Sequence, residues 1–524
     1  MLSTSKVNKP IVEFGDYQTP ASFAKIVCEK LSSFYGLQPN VVIEPTFGIG
    51  NFLDGVVSTF PNVRKLYGIE INKSYYSSAL SRISQTYSER FDTEFFNADI
   101  FSFDFSYIKK VLTSKDELLV IGNPPWVTNS QLTSLGSSNL PQKSNYKGYS
   151  GLDAMTGKAN FDIAEYILLL LLNEFSNSNC VLAMLCKTIV AKNIVRDINK
   201  YNISMSSIDL FTFNANDIFG VSCDAGLLVM KSGNAEAKTC SVYDFYTNNK
   251  IREFGWNDNK FYADIPNVNR HKSIDGICQL EWRQGIKHDC ARVMELEKDD
   301  SGIFKNKIGD ELNFQLGQFV FPLVKSSDIK SYEITSTRKY VIVPQKRINE
   351  DTSQIKNLDS VVWDYLQKND TSLSARRSSI YSNAPKYSIF GVGDYSFSKY
   401  KVGISGFYKE PIFTLIRSEI PIMMDDTCYF LSFENEIDAA ITLALLNSSE
   451  CIMFLKSTAF LDSKRPYTKE VLQRIDLGKL SYLLDYSYIN NFSTRLISNL
   501  RITEQDYYNY RSLFQDAQLS IDMF

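Results

Sequence analysis

Histidine is nearly missing from this 524-residue chain: only His271 and His288 are present. A zinc site built on His/Cys spacing therefore has almost no material, and no metal is expected. The nine cysteines are scattered, with no Cys-x-x-Cys. An odd number without a framework predicts reduced thiols in a cytosol rather than a disulfide scaffold. Long apolar runs are missing as well. The longest strongly apolar stretch is Ile167–Leu172, six residues, where a bilayer span needs about 20. That excludes a membrane helix there and predicts a buried helix and no membrane partner. Met1 to Pro10 holds no apolar signal core, so the expected location is the cytoplasm. Nor is there an excess of positive charge. Lys and Arg number 56 against 59 Asp and Glu, a net charge of −3, and residues 1–240 alone carry 21 basic and 22 acidic side chains. A histone-like or tail-driven nucleic-acid binder is excluded, and any such site must be a local patch.

What is present is the balance of a globular protein. Hydrophobic residues make up 44% and aromatic residues 13%, which excludes disorder over most of the length. The length predicts two or three domains. From Val41 to about Lys231, short apolar runs alternate with helical patterns. Strands are predicted at Val41–Glu44, Lys65–Glu70, Glu94–Asn97, Leu118–Gly122, Cys180–Cys186, Ser207–Phe211 and Gly226–Lys231. Helices are predicted at Asn51–Thr59, Ser74–Thr86, Asp162–Glu174 and Asn193–Tyr201. This alternation predicts an open, mostly parallel α/β sheet, which binds ligands beyond the carboxyl ends of its strands. Residues 133–151, rich in Ser, Asn, Gly and Lys, are either a solvated loop or a flap beside the site. Past Lys231 the pattern changes. The expected division is a catalytic domain over 1–240, a linker region over 241–275 and an α+β domain over 276–524.

Four motifs fall at predicted strand ends. Glu44-Pro45-Thr46-Phe47-Gly48-Ile49-Gly50 is a strand end followed by a Gly-x-Gly turn and a helix. No Lys follows the second glycine, which excludes a Walker loop, and the next glycine, Gly55, falls two places late for a dinucleotide fingerprint. A bound pyrophosphate is thus disfavoured. Glu70, ending the next strand about 20 residues on, suits the two hydroxyls of a ribose. Asp99, after the third strand, is either a helix cap or a reader of an adenine amino group, with Ile71 and Ile100 placed to sandwich the ring. Together these describe an adenosine-containing ligand without phosphates.

The fourth motif is Val120-Ile121-Gly122-Asn123-Pro124-Pro125-Trp126. Two prolines remove two backbone donors and stiffen the turn. The Asn123 side-chain oxygen and the Pro124 carbonyl suit two hydrogen bonds from one NH₂ group. An exocyclic amino nitrogen is a poor nucleophile because its lone pair is delocalised into the ring. Two acceptors on its hydrogens favour a pyramidal nitrogen and stabilise the charge that develops during transfer. Trp126 offers a flat face for a stacked base.

These stretches resemble the gamma-class, TaqI-like S-adenosylmethionine-dependent DNA adenine-N6 methyltransferases of bacterial restriction–modification systems. The resemblance implies a Rossmann-like class I methyltransferase domain, its mostly parallel sheet ending in a hairpin strand, followed by an α+β target-recognition domain over 276–524. It implies S-adenosylmethionine as cofactor. Gly15-Asp16-Tyr17-Gln18-Thr19-Pro20 looks like the leading cofactor motif, with Thr19 at the methionine end alongside Glu44, Pro45, Gly48 and Gly50. Glu70 would take the ribose and Asp99 the adenine amino group, with Ile71 and Ile100 on either side of the ring. Asn123, Pro124, Pro125 and Trp126 match the catalytic motif, with Trp where Tyr or Phe is commoner. Asn216 to Gly220 resembles the motif whose Phe stacks the target base, so Phe219 either takes that role or is a hairpin core residue. Lys158 to Asp162 matches the motif opening the helix beside the cofactor, with Asp162 as its N-cap.

In the C-terminal half, Trp282–Asp289, Tyr387–Tyr395 and Asp425–Phe430 resemble the TaqI-like specificity region. Basic pairs at Arg338-Lys339, Lys346-Arg347, Arg376-Arg377 and Lys464-Arg465 are either solvated faces or phosphate contacts. The implied enzyme is an adenine-specific DNA methyltransferase of a bacterial cytoplasm. It acts on a flipped-out adenine in double-stranded DNA, and a separately encoded restriction endonuclease acts on the same sequence. An RNA or protein-glutamine methyltransferase uses the same Asn-Pro-Pro-aromatic chemistry, and a non-catalytic DNA-recognition subunit would keep the fold. A fused nuclease is disfavoured, because only about 12 residues precede the first motif.

Overall fold

A computed structural model describes residues 18–87, 91–127, 162–201 and 203–514. The chain divides into two compact units, Met1–Ile265 and Pro266–Phe524.

The first unit is built on a ten-stranded sheet in the order β10-β9-β8-β6-β7-β5-β4-β1-β2-β3. The strands are β1 (Val41–Glu44), β2 (Lys65–Glu70), β3 (Asp92–Asn97), β4 (Leu118–Gly122), β5 (Cys180–Lys187), β6 (Met205–Asn214), β7 (Asp224–Ser232), β8 (Thr239–Asp244), β9 (Lys250–Asn257) and β10 (Lys260–Tyr262). The helices are α1 (Ala21–Tyr35), α2 (Asn51–Thr59), α3 (Lys73–Tyr87), α4 (Ser106–Val111), α5 (Ile163–Phe175), α6 (Thr188–Asp197) and α7 (Ala215–Phe219). Strands β1 to β5 pair in parallel. β7 then inserts antiparallel between β5 and β6. The central strands are buried on both faces, which is why β4 reads Leu-Leu-Val-Ile-Gly and β1 Val-Val-Ile-Glu without alternation.

Three features depart from expectation. Helix α1 was not anticipated. It starts after Pro20 with no side-chain cap and packs Phe23, Ala24, Val27, Cys28 and Leu31 into the core. The predicted helix Asn193–Tyr201 starts five residues earlier, at Thr188, and closes as a 3₁₀ turn over Ile198–Tyr201. The segment 241–275, expected as a linker, contributes most of β8 and all of β9 and β10 to the sheet. The polar runs Gly233–Lys238 and Thr247–Lys250 are largely turns between sheet strands, so they do not mark a boundary.

The second unit mixes helices with two sheets, ordered β11-β21-β18-β19-β16 and β14-β13-β12-β17-β15-β20. The first comprises β11 (Arg283–Gln284), β16 (Glu333–Ile334), β18 (Tyr400–Ser405), β19 (Phe413–Arg417) and β21 (Cys428–Phe433). The second comprises β12 (Glu295–Lys298), β13 (Phe304–Asn306), β14 (Glu311–Leu312), β15 (Val320–Val324), β17 (Lys339–Ile342) and β20 (Met423–Met424). The three stretches singled out in this half converge. Lys287 bridges to Phe390 and Ile286 to Asp425, and the Gly285 N–H donates to the Cys428 carbonyl at 3.1 Å. A Cβ on Gly285 would lie 2.2 Å from the Asp425 carbonyl oxygen, so only glycine fits that crossing. Arg376 is an internal strut: its guanidinium donates to the carbonyls of Leu373, Ser388 and His288, so it is not a free phosphate contact. Arg465 donates to the Asp426 carbonyl, whereas Arg377 and Lys464 are exposed.

All nine cysteines are unpaired and eight are buried. No single helix among the described residues is long and apolar enough to cross a membrane.

Candidate active site

In a doubly wound sheet the crevice opens where strand order reverses. Here β1 leads outward through β2 to β3, while β4 lies on its other side and leads to β5. The reversal therefore falls between β1 and β4. Their carboxyl ends deliver Glu44 and Asn123, and a crevice of about 1120 Å³, open mouth included, lies there. Its lining brings together Thr19, Glu44, Pro45, Gly48, Glu70, Ile71, Asp99, Ile100, Asn123 and Pro125. Gly15, Asp16 and Tyr17 of the leading motif, Lys158 to Phe161 and the loop 133–151 lie outside the described residues.

The turn after β1 is locked by its surroundings. Glu70 Oε2 accepts the Gly48 N–H at 2.8 Å, and its Oε1 accepts the Asn72 N–H at 2.7 Å. Gly48 has φ +54°, a left-handed conformation that favours glycine, and a Cβ there would lie 2.5 Å from Gln18 Oε1, so the Gln18 amide would have to shift. Gln18 Oε1 in turn accepts the Ile49 N–H at 3.2 Å, and the Asn51 amide donates to the Thr19 carbonyl at 2.7 Å. These contacts hang the segment before α1 on the turn. Gly50 does not line the crevice; it stands at the head of α2 with φ 82° and shapes the turn. Asp99 both lines the crevice and caps locally, its Oδ1 accepting the Phe101 N–H at 3.0 Å.

Glu44 is only 2% exposed. Its Oε2 is buried with no hydrogen-bond partner among the described residues. Burial pushes its pKa well above the ordinary carboxylate range; the Leu53 N–H opposes this, and the nearby Glu70 and Asp54 charges reinforce it. A buried carboxyl with an idle oxygen at the wall of a crevice is a receptor for a cation or a donor.

The Asn-Pro-Pro-Trp corner is split by the fold. Asn123 and Pro125 line the crevice, and the Thr46 hydroxyl donates to the Asn123 carbonyl at 3.5 Å. Pro124 and Trp126 are not among its walls. Trp126 is 5% exposed and belongs to the core of the unit, where its indole N–H reaches the Leu185 carbonyl at 3.4 Å. Phe219 also stands off the crevice wall and meets Trp126 edge-to-face, ring centroids 5.1 Å apart. Asp162 caps α5 through the Ala164 N–H at 3.1 Å. Sequence reasoning missed Asn51, Asn72, Tyr75, Phe101, Val127, Ile163 and Ile167 as walls, and did not assign Gln18 a role. Helix periodicity marks Ile163 and Ile167 as one face, but the others carry no local signal.

A mostly parallel doubly wound sheet with this crevice at its switch point is the fold of the Rossmann-like class I methyltransferases. No family model matches the chain. It is 40% identical over 482 residues to the Type II methyltransferase M.NspV of Nostoc sp. (strain ATCC 29411 / PCC 7524), covering 91% of this chain and 99% of that protein. The Type IIL restriction–modification enzyme MmeI, solved in complex with DNA, superposes with a TM-score of 0.50 at 13% identity, over 97% of this chain and 72% of that one; this likeness concerns the fold alone. The chain belongs to the Type II methyltransferase family. The family implies S-adenosylmethionine as donor, and a crevice lined by Glu44, whose buried Oε2 has no hydrogen-bond partner among the described residues, and by apolar Ile71, Ile100 and Phe47 fits a ligand with a cationic end and a flat ring.

Proposed function

We propose that this protein is a gamma-class enzyme that methylates the N6 amino group of adenine in duplex DNA. The observation that carries the reading is the meeting of Gly48, Glu70, Asp99 and Asn123, from four separate strand ends, around one crevice. When bound, S-adenosylmethionine supplies an electrophilic methyl group on a sulfonium. Thr19, Glu44, Pro45 and Gly48 hold its methionine end, with Gly50 shaping their turn. Glu70 takes the ribose hydroxyls, and Asp99 takes the adenine amino group. Ile71, 47% exposed at the mouth, and the buried Ile100 flank the ring.

The target adenine is flipped out of the stack, at a cost of a few kcal/mol. Asn123 and the Pro124 carbonyl accept its two amino hydrogens, localise the lone pair and orient the nitrogen for transfer. Pro125 keeps this corner rigid. Phe219, once turned from its edge-to-face contact with Trp126, supplies the aromatic wall for the base, and Trp126 backs it from the core. Catalysis rests on positioning and oriented dipoles. The second unit reads the sequence, and its exposed cations, such as Arg377 and Lys464, contact phosphates. A separately encoded endonuclease is its functional partner, acting on the same site.

The test is transfer of labelled methyl from the donor to duplex DNA, RNA and glutamine-bearing protein, with digestion to nucleosides. N6-methyladenine from duplex DNA alone supports the reading. Label confined to RNA or protein, or found on cytosine, overturns it.

A further inference from the structure

The Pro-Pro step cannot donate a backbone hydrogen bond, so the corner is held through its carbonyls and side chains. Strand β5 supplies that hold. It pairs with β4 as far as Gly122 opposite Met184 and then runs three residues further. There the Lys187 ammonium donates to the Trp126 carbonyl at 2.9 Å. The same ammonium donates to Asp162 Oδ2 at 2.7 Å, and the Leu185 carbonyl two residues back receives the Trp126 indole N–H. Asp162 is 7% exposed and spends its other oxygen on capping α5. The next residue, Ile163, donates its N–H to the Val127 carbonyl at 2.9 Å, and Ile163 and Ile167 line the crevice. One half-buried ion pair thus ties three things: the residue after the diproline, the end of β5 and the first turn of the helix that walls the crevice.

We propose that Lys187 is a positioning residue for methyl transfer, acting with Asp162 to fix Trp126 and, through it, the Asn123–Pro125 corner. Lys187 does not line the crevice, so its effect falls on the transfer step rather than on donor binding. The inference rests on the reading of that corner as the catalytic motif.

The variants are Lys187→Met, which keeps the stem and loses the charge, and Asp162→Asn, which keeps the capping oxygen. Each is assayed in the full chain for single-turnover transfer to DNA, for the dissociation constant of the donor by calorimetry, and by fluorine NMR after 5-fluorotryptophan labelling. Four tryptophans are present, and Trp126→Phe assigns the resonance. The expected result is a fall in kcat of about tenfold or more, a donor dissociation constant within about twofold of wild type, and a moved or broadened Trp126 resonance beside three unmoved ones. Unchanged kcat, or kcat and donor affinity lost in equal proportion, overturns it. If the wild-type chain transfers nothing to DNA, the functional reading fails separately, and the Trp126 resonance then decides the clamp: unmoved in Lys187→Met refutes it, moved upholds it. Should Lys187→Met not fold, Asp162→Asn gives the same three readouts.

Discussion

Replacing Glu44 by Gln removes an ionisable carboxyl from the wall of the crevice while keeping shape and volume. In the free protein this carboxyl is buried, one oxygen has no partner among the described residues, and its pKa is raised by burial. Ionising it costs stability as the pH rises from about 4.3, the unfolded value. Glu44→Gln removes that cost, so the donor-free variant should melt at or above the wild-type Tm. Donor binding reverses the sign. A cationic methionine end favours the carboxylate, so a proton leaves on binding and donor affinity rises with pH until Glu44 is ionised. A charge-assisted hydrogen bond contributes about 1.5–3 kcal/mol, so Glu44→Gln should weaken donor binding about 10- to 150-fold. Calorimetry in two buffers of different ionisation enthalpy measures both affinity and proton release. A donor affinity within twofold of wild type, or wild-type binding with no proton exchange at any pH between 5 and 8, refutes this placement of the cation.

Other perturbations separate the parts of the site. Asn123→Ala should lower transfer by about 10²- to 10³-fold with donor binding close to normal, as read by single-turnover assay and calorimetry. Glu70→Ala should weaken donor binding more than DNA binding, since it removes both the ribose acceptor and the anchor of the Gly48 N–H; gel-shift and calorimetric titrations compare the two. Gly48→Ala forces a side chain to φ +54° against Gln18 and should cost about 1–2 kcal/mol of stability, measured by urea unfolding. In the second unit, His288, Glu295 and Asp425 stand within 4.8 Å of one another, and the Lys325 ammonium reaches both carboxylates, at 2.6 Å from Glu295 and 3.5 Å from Asp425. Burial works to raise the Glu295 pKa, but hydrogen bonds from His288 and Lys325 prevail and hold it far below the usual range. Its stabilisation is therefore present above about pH 4.3 and lost as the pH falls toward the folded value. Glu295→Gln should cost about 3 kcal/mol at neutral pH and flatten the acid limb of the stability curve.

Much of the first unit was legible because its central strands are buried on both faces. β1, β2 and β4 are uninterrupted apolar runs with polar tips, and their ends coincide with the expected ones. The carboxylates at those tips lie in one crevice because the strand order reverses between β1 and β4, which a single sequence only implies. The edge of the sheet was harder: β8 to β10 are short, half-polar strands joined by polar turns, a pattern shared with linkers. Side-chain direction was not legible at all. Trp126 reads as a flat stacking face and Phe219 as either that or a hairpin core residue, and both pack against the core and against each other. The Lys187–Asp162 pair joins residues 25 apart with no motif to announce it, and nothing in the Arg376-Arg377 pair, a solvated face or a phosphate contact by sequence, signals that Arg376 is tied to three carbonyls.

The central claim is that the Asn123–Pro124 corner holds the amino group of an adenine in DNA. Base-resolution sequencing of modified positions in cells expressing the wild-type chain or Asn123→Ala addresses it most directly. The account predicts N6-methyladenine at one recurring sequence with the wild type and its near-complete loss with Asn123→Ala. Methylation on cytosine, or adenine marks that persist at full level in the variant, would contradict it.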